Sequence, residues 1–143
     1  MPISFNIEPT TRFLRTVVTG RVGREDMVGY ATDLRAHPLH DEVDRRLVDV
    51  RASAQVTADD LRDMLRIEHE TVGNNRRADR RAILINSEAG PALGRELVVA
   101  DRRHYGVPIS YRVFRSATHV YRYLRVEPRS LADRSRPRRA AAD

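Results

Sequence analysis

Cysteine, lysine and tryptophan are all missing from this chain. Without cysteine there is no disulfide framework, no thiolate nucleophile and no thiolate metal site. That suits a reducing compartment, and a cytoplasmic location is the expectation. No stretch reaches the run of about 18 apolar residues needed to cross a bilayer. The opening residues Met1, Pro2, Ile3, Ser4 and Phe5 lack the charged and apolar regions of a signal peptide. Membrane is therefore not an expected partner. Catalytic fingerprints are also lacking. The glycine-containing stretch AGPALG at 89–94 has neither GxGxxG nor a GK[ST] ending, so it carries little case for phosphate binding.

What is present is arginine. All 26 basic residues are Arg, against 20 acids. Total replacement of Lys points to base composition of the genome more than to selection at a site. From Arg129 to Asp143 five Arg meet two Asp, and residues 1 to 128 hold 21 Arg and 18 acids. Half of the +6 excess thus sits in a short tail. A phosphate-backbone binder needs a basic face, and none stands out in the body, so nucleic acid is disfavoured as a partner.

The 143 residues fit one domain with a core of its own. Residues 3–7 alternate (Ile3, Phe5, Ile7) as a half-buried strand does. A turn at 8–11 leads to a second strand over 13–19, completing a hairpin. In 24–36 the residues Met27, Tyr30, Ala31 and Leu34 recur on one helical stripe, and Pro38 stops the helix. His37 and His40 flank that proline. They have no third ligand at matching spacing, so exposed loop histidines are the reading and no metal is expected. Residues 46–50 form a buried strand containing Asp49, expected in a structural ion pair. Thr57 and Asp60 open the second helix as a capping box with Asp in the usual Glu or Gln place. It runs to about Val72, with Leu61, Met64, Leu65 and Val72 as its stripe and Arg66–Glu70 as a surface pair. Glu68 falls in the middle of that stripe. It is either a ligand contact or general base of raised pKa, or the partner of an arginine where the helix end leaves the core.

After a polar loop at 74–79, residues 81–85 form another buried strand. A third helix is expected from Pro91 to about Tyr105, with Leu93, Leu97 and Ala100 on its stripe and His104 extending it. The last strand covers 109–114. Ser116 then caps a final helix with Ala117, Val120, Tyr121 and Leu124 on one face. From 127 to 143 periodicity ends, and a disordered Arg-rich tail is expected. The order β-β-α-β-α-β-α-β-α implies an α/β domain over 1–126. Its five-stranded sheet should be mixed and mostly parallel, with four helices.

The stretches TGRVGREDM, AHP, LVDVR followed by a capped helix, RRAILIN and YRVFRSATHVYRYL resemble the STAS-like family over about residues 3–126. That family includes the anti-sigma-factor antagonists and many small bacterial proteins. The resemblance implies a regulatory module in which a partner kinase phosphorylates a Ser in a DSSG-like motif at the second helix. Here the equivalent stretch is QVTADDL, the matching positions are Ala58 and Asp59, and no DSSG is present, so the phospho-switch does not carry over. Thr57 lies nearby with its hydroxyl engaged as a cap.

The expected function is a non-catalytic regulatory or protein–protein interaction module. It would bind a protein partner, or a second copy of itself, through the corner containing Ser53, Gln55, Thr57, Asp59 and Asp60. The alternative is a small apolar-ligand or lipid-binding domain with a pocket near Glu68 and His104. An enzyme using those two groups as acid and base ranks below both, and no cofactor is expected.

Overall fold

The structure is a computed structural model describing residues 2–72, 80–85 and 111–126. The expected third helix with His104, the loop at 74–79 and the tail from 127 lie outside the described residues. The elements are β1 (Ile3–Glu8), β2 (Phe13–Val18), α1 (Arg24–Ala36), β3 (Arg45–Val50), α2 (Ala58–Val72), β4 (Arg80–Ile85), β5 (Tyr111–Phe114) and α3 (Ala117–Leu124). The five strands form one sheet in the order β1-β2-β3-β4-β5. β1 runs antiparallel to β2, and every later pairing is parallel. The expected mixed, mostly parallel five-stranded α/β sheet is present, with three α-helices among the described residues.

The strands explain themselves by their faces. β1 buries Ile3 and Ile7 and exposes Ser4 and Asn6, the alternation of an edge with one wet side. By contrast β2 buries Phe13, Leu14, Arg15 and Thr16 in succession, and β3 buries every residue from Arg46 to Val50. Strands covered on both faces lose the two-residue alternation. Two apolar cores result. One joins Leu14, Val18, Val48, Val50, Ile83 and Ile85 to the stripes of α1 and α2. The other joins Phe13, Leu47, Ala82 and Leu84 to Val120 and Leu124 of α3, on the opposite side of the sheet.

Helix α1 buries Met27, Tyr30, Ala31 and Leu34, the stripe expected of it. At its start the Gly23 N–H donates to Asp26 Oδ2 (2.8 Å). At its end the two histidines are used locally. His37 Nδ1 accepts the Leu39 N–H (3.1 Å), and His40 bonds the His37 carbonyl (2.8 Å) and Asp41 (3.0 Å). In α2 Asp60 N–H donates to Thr57 Oγ1 (3.1 Å) and Thr57 N–H to Asp60 Oδ2 (2.9 Å), the reciprocal cap. Three details differ from expectation. Ser116 stands at the N-cap of α3 but makes no side-chain cap bond, and Ala117 is exposed, leaving Val120 and Leu124 as the buried stripe. In α2, Arg66 turns back to Asp63 (3.1 Å) and not on to Glu70. The three-residue reach is as short as the four-residue one on a helix surface.

Gly20 follows β2 with φ +59°. Its carbonyl accepts the Gln55 N–H (2.8 Å), so this left-handed residue fixes how two loops meet. A Cβ at Gly20 would meet nothing within 4 Å, which leaves backbone strain as the only cost of a side chain. Gly20→Ala is expected to destabilise the fold by about 1–2 kcal/mol, read from the midpoint of urea unfolding.

Candidate functional site

The carboxyl ends of β2 and β3 lie side by side, because Val18 and Val50 are partners in a parallel ladder. Loops leaving such ends are the usual place for function in an open α/β sheet. Here the pairing continues beyond the strands. Arg51 N–H donates to the Val18 carbonyl (3.0 Å), Gln55 N–H to Gly20, and Arg21 bridges Gln55. Ala54 N–H closes a turn on the Arg51 carbonyl (2.9 Å). The backbone of 51–57 is therefore fixed, with Ala54 and Val56 packed against the core and Ala52, Ser53, Gln55 and Thr57 exposed.

Ser53, Gln55, Thr57 and Asp59 are exposed and Asp60 is half-buried. These residues divide by what holds them. Thr57 and Asp60 are engaged in the cap. Asp59 takes Arg62 (3.0 Å) one turn along α2. The side chains of Ser53 and Gln55 project from a backbone that is already tied down. All five lie in the loop after β3 and the first turn of α2.

Glu68 is elsewhere, on the inner face of α2, and only 3% exposed. Its Oε1 accepts Arg46 Nη1 from β3 (2.5 Å) and its Oε2 accepts the Tyr30 hydroxyl from α1 (3.3 Å). Tyr30 and Thr16 Oγ1 of β2 are 2.8 Å apart. Since the Tyr30 proton points to Glu68, Thr16 is the donor to Tyr30. Of the two sequence readings, the arginine partner is what the structure contains; both members of the pair are buried, and the helix leaves the core after Glu68, with His69 and Thr71 half-buried and Glu70 exposed. A carboxylate whose two oxygens are both occupied, and which water barely reaches, is built to hold elements together. The other member of the expected pocket, His104, lies outside the described residues.

On the opposite face Asp49 Oδ2 accepts Arg15 Nη2 (3.0 Å) and lies 3.3 Å from Arg51 Nε. The register explains the first contact. Arg15 pairs with Leu47, and Asp49 is two residues on, the diagonal neighbour on the same face. Asp49 Oδ1 and Arg15 Nε are buried without a hydrogen-bond partner. Asp49 is thus the ion-paired residue that was expected, with a reserve of unmet polarity close to the corner through Arg51.

Sequence reasoning missed Arg46, Tyr30 and Thr16 as a unit. Tyr30 reads as one more stripe residue and Arg46 as a strand start. The available signal was the acid at Glu68, which required a cation on a facing strand. Among the described residues no group of three or more acids and histidines is placed to hold a metal, and no helix is long and apolar enough to cross a membrane. The chain matches no protein-family model and no curated protein sequence.

Two predictions follow from the Glu68 network. Glu68→Ala removes the carboxylate that the buried Arg46 guanidinium meets, and is expected to cost about 3–5 kcal/mol. Arg46→Met combined with Glu68→Leu removes both charges and should lie within about 1 kcal/mol of the parent; denaturant unfolding of both variants checks this. The second concerns pH. Burial, reinforced by the neighbouring Glu68 carboxylate, raises the Tyr30 phenol well above its ordinary 10.0. The unfolded chain therefore releases this proton first, and stability falls as pH climbs past 10. Tyr30→Phe should be about 1 kcal/mol less stable at neutral pH, through its lost hydrogen bonds. It should also lose less stability than the parent between pH 9 and 11, as unfolding midpoints across that range would record.

Proposed function

We propose that this chain is a non-catalytic regulatory or protein–protein interaction module of STAS-like type, acting through the corner formed by residues 52–60. The observation that carries the reading is the contrast within that corner. Its backbone is pinned to β2 and Gly20 by hydrogen bonds, while Ser53, Gln55 and Asp59 present exposed side chains. A pre-ordered loop loses little entropy on docking, which is what a recognition surface needs. The buried acids support the non-catalytic part, since Glu68 and Asp49 each accept an arginine. The strand order and the hairpin followed by β-α units support the STAS-like part. The positions where the resemblance places the phosphorylatable motif are Ala58 and Asp59, and Asp59 with the adjacent Asp60 gives this corner a permanently acidic pair.

The test compares quantitative affinity capture by the parent, by a Ser53→Arg/Gln55→Arg variant and by a remote Arg35→Ala variant. A partner is expected to bind the parent and the remote variant and to be lost from the corner variant. Light scattering on the same three proteins reads whether that partner is a second copy. Equal recovery by all three would remove the corner as the binding surface.

A further inference from the structure

Charge is segregated in this fold. Residues 2–72 hold 10 arginines and 13 acids, whereas 80–85 and 111–126 hold six arginines and no acid. The sheet order turns this into a difference in space. β4 and β5 lie at one side of the sheet, with α3 packed over them, and β1 and β2 at the other. A net-charge census split at 128 conceals this asymmetry; one split at residue 72 would have shown it.

Six of the ten arginines of the first region, Arg15, Arg45, Arg46, Arg51, Arg62 and Arg66, meet carboxylates. At the β4–β5–α3 end, the exposed Arg112, Arg115, Arg122 and Arg125 have no carboxylate partner among the described residues. Tyr123 organises the centre of this end. Arg80 and Arg112 lie over its ring at 5.7 and 5.1 Å, and Phe114 sits beside it at 5.3 Å. Arg80 also donates to the Tyr123 carbonyl (2.7 Å), and Arg45 donates to the Arg125 carbonyl (2.9 Å). Asp44, close to the same end, lies 3.8 Å from Arg45 Nε through an Oδ1 that is buried and makes no hydrogen bond.

We infer that the β4–β5–α3 end is a docking surface for an acidic, extended segment of a partner protein. Arginines that share a surface with no acid among its described residues repel one another, and a complementary anion relieves that repulsion. Stacking on Tyr123 holds the guanidinium groups in place, so less side-chain freedom is lost on binding. Because the chain uses only arginine, the choice of Arg over Lys says nothing here; the placement does. Guanidinium groups already lie over the Tyr123 ring, so it offers no free platform for stacked bases. What remains outward is N–H donors, which pair with carboxylates without needing a stacking platform. The inference shares with the corner reading only that the partner is a protein. The two surfaces are distinct.

Fluorescence anisotropy with the full chain tests it, using a labelled Glu-rich peptide, its Gln counterpart and a single-stranded oligonucleotide of equal charge. The Glu-rich peptide is expected to bind at low salt, more tightly than the oligonucleotide, and to weaken steeply as salt rises. The Gln counterpart should not bind. Arg112→Glu and Arg122→Glu should each lower peptide affinity by about tenfold, and Arg112→Gln should lower it less. Arg35→Glu and the Ser53→Arg/Gln55→Arg corner variant should leave it unchanged; thermal melts establish that each variant is folded. Absence of binding to the Glu-rich peptide, or an equal loss with Arg35→Glu, would overturn the inference. Tighter binding of the oligonucleotide would assign the surface to nucleic acid. Self-association of the parent abolished by Arg112→Glu would assign it to a second copy. Because the corner variant is one arm, loss of the corner reading would leave this result standing, and the reverse also holds.

Discussion

A buried carboxylate on α2 is the constraint to which most of the first core answers. Glu68 reaches Arg46 on β3 and Tyr30 on α1, and Tyr30 reaches Thr16 on β2. Four elements therefore meet through polar atoms inside an otherwise apolar layer. Leucine and methionine stripes alone would let a helix slide or rotate on the sheet at small cost, because apolar contact has no direction. An ion pair with a hydroxyl relay has one geometry. Its net contribution to stability is small once desolvation is counted. Its effect is to fix the phase of α2, and with it the position of the Thr57 cap and the corner beyond.

The second buried pair acts on the other face. Arg15 and Asp49 join β2 to β3, and Arg51 extends that contact to the base of the loop. The corner is held from two directions, by backbone bonds to Gly20 and Val18 and by side-chain charge beneath. Such support is what makes an exposed loop a reproducible surface. The molecule then has two poles of different character: a tied-down corner with acids at the start of α2, and an arginine-rich end around Tyr123. A module able to hold one partner at each would work as a bridge.

Much of this was legible from residues alone. The spacing of Met27, Tyr30, Ala31 and Leu34 gives α1 its boundaries and inner face. Thr57 and Asp60 mark the start of α2 because the cap is a local device, written within four positions. The apolar runs at 46–50 and 81–85 show as buried strands for the same local reason. Long-range pairing is another matter. Glu68 and Arg46 are 22 positions apart, and Arg15 and Asp49 are 34 apart. Nothing in either neighbourhood selects one arginine from 26. Strands buried on both faces also lack the alternation that would show which way Arg15, Arg46 and Asp49 point. For Arg66, Asp63 and Glu70 are equally plausible neighbours on paper. The arginine-rich end escaped notice because the acids of the first 72 residues offset it in the total.

Each strand in this sheet lies beside the one that precedes it in the chain. No strand has to wait for a later segment to fill a gap between two already in place. A nascent chain can lay down the hairpin, add β3 to its edge once α1 is made, and continue outward by accretion. Each parallel pairing still closes a long stretch of chain, as between Phe13 and Arg45, so what the order favours is stepwise assembly and not short contacts. The acid-rich portion, including the Arg46–Glu68 tie, can be assembled during synthesis before the arginines of β4, β5 and α3 emerge.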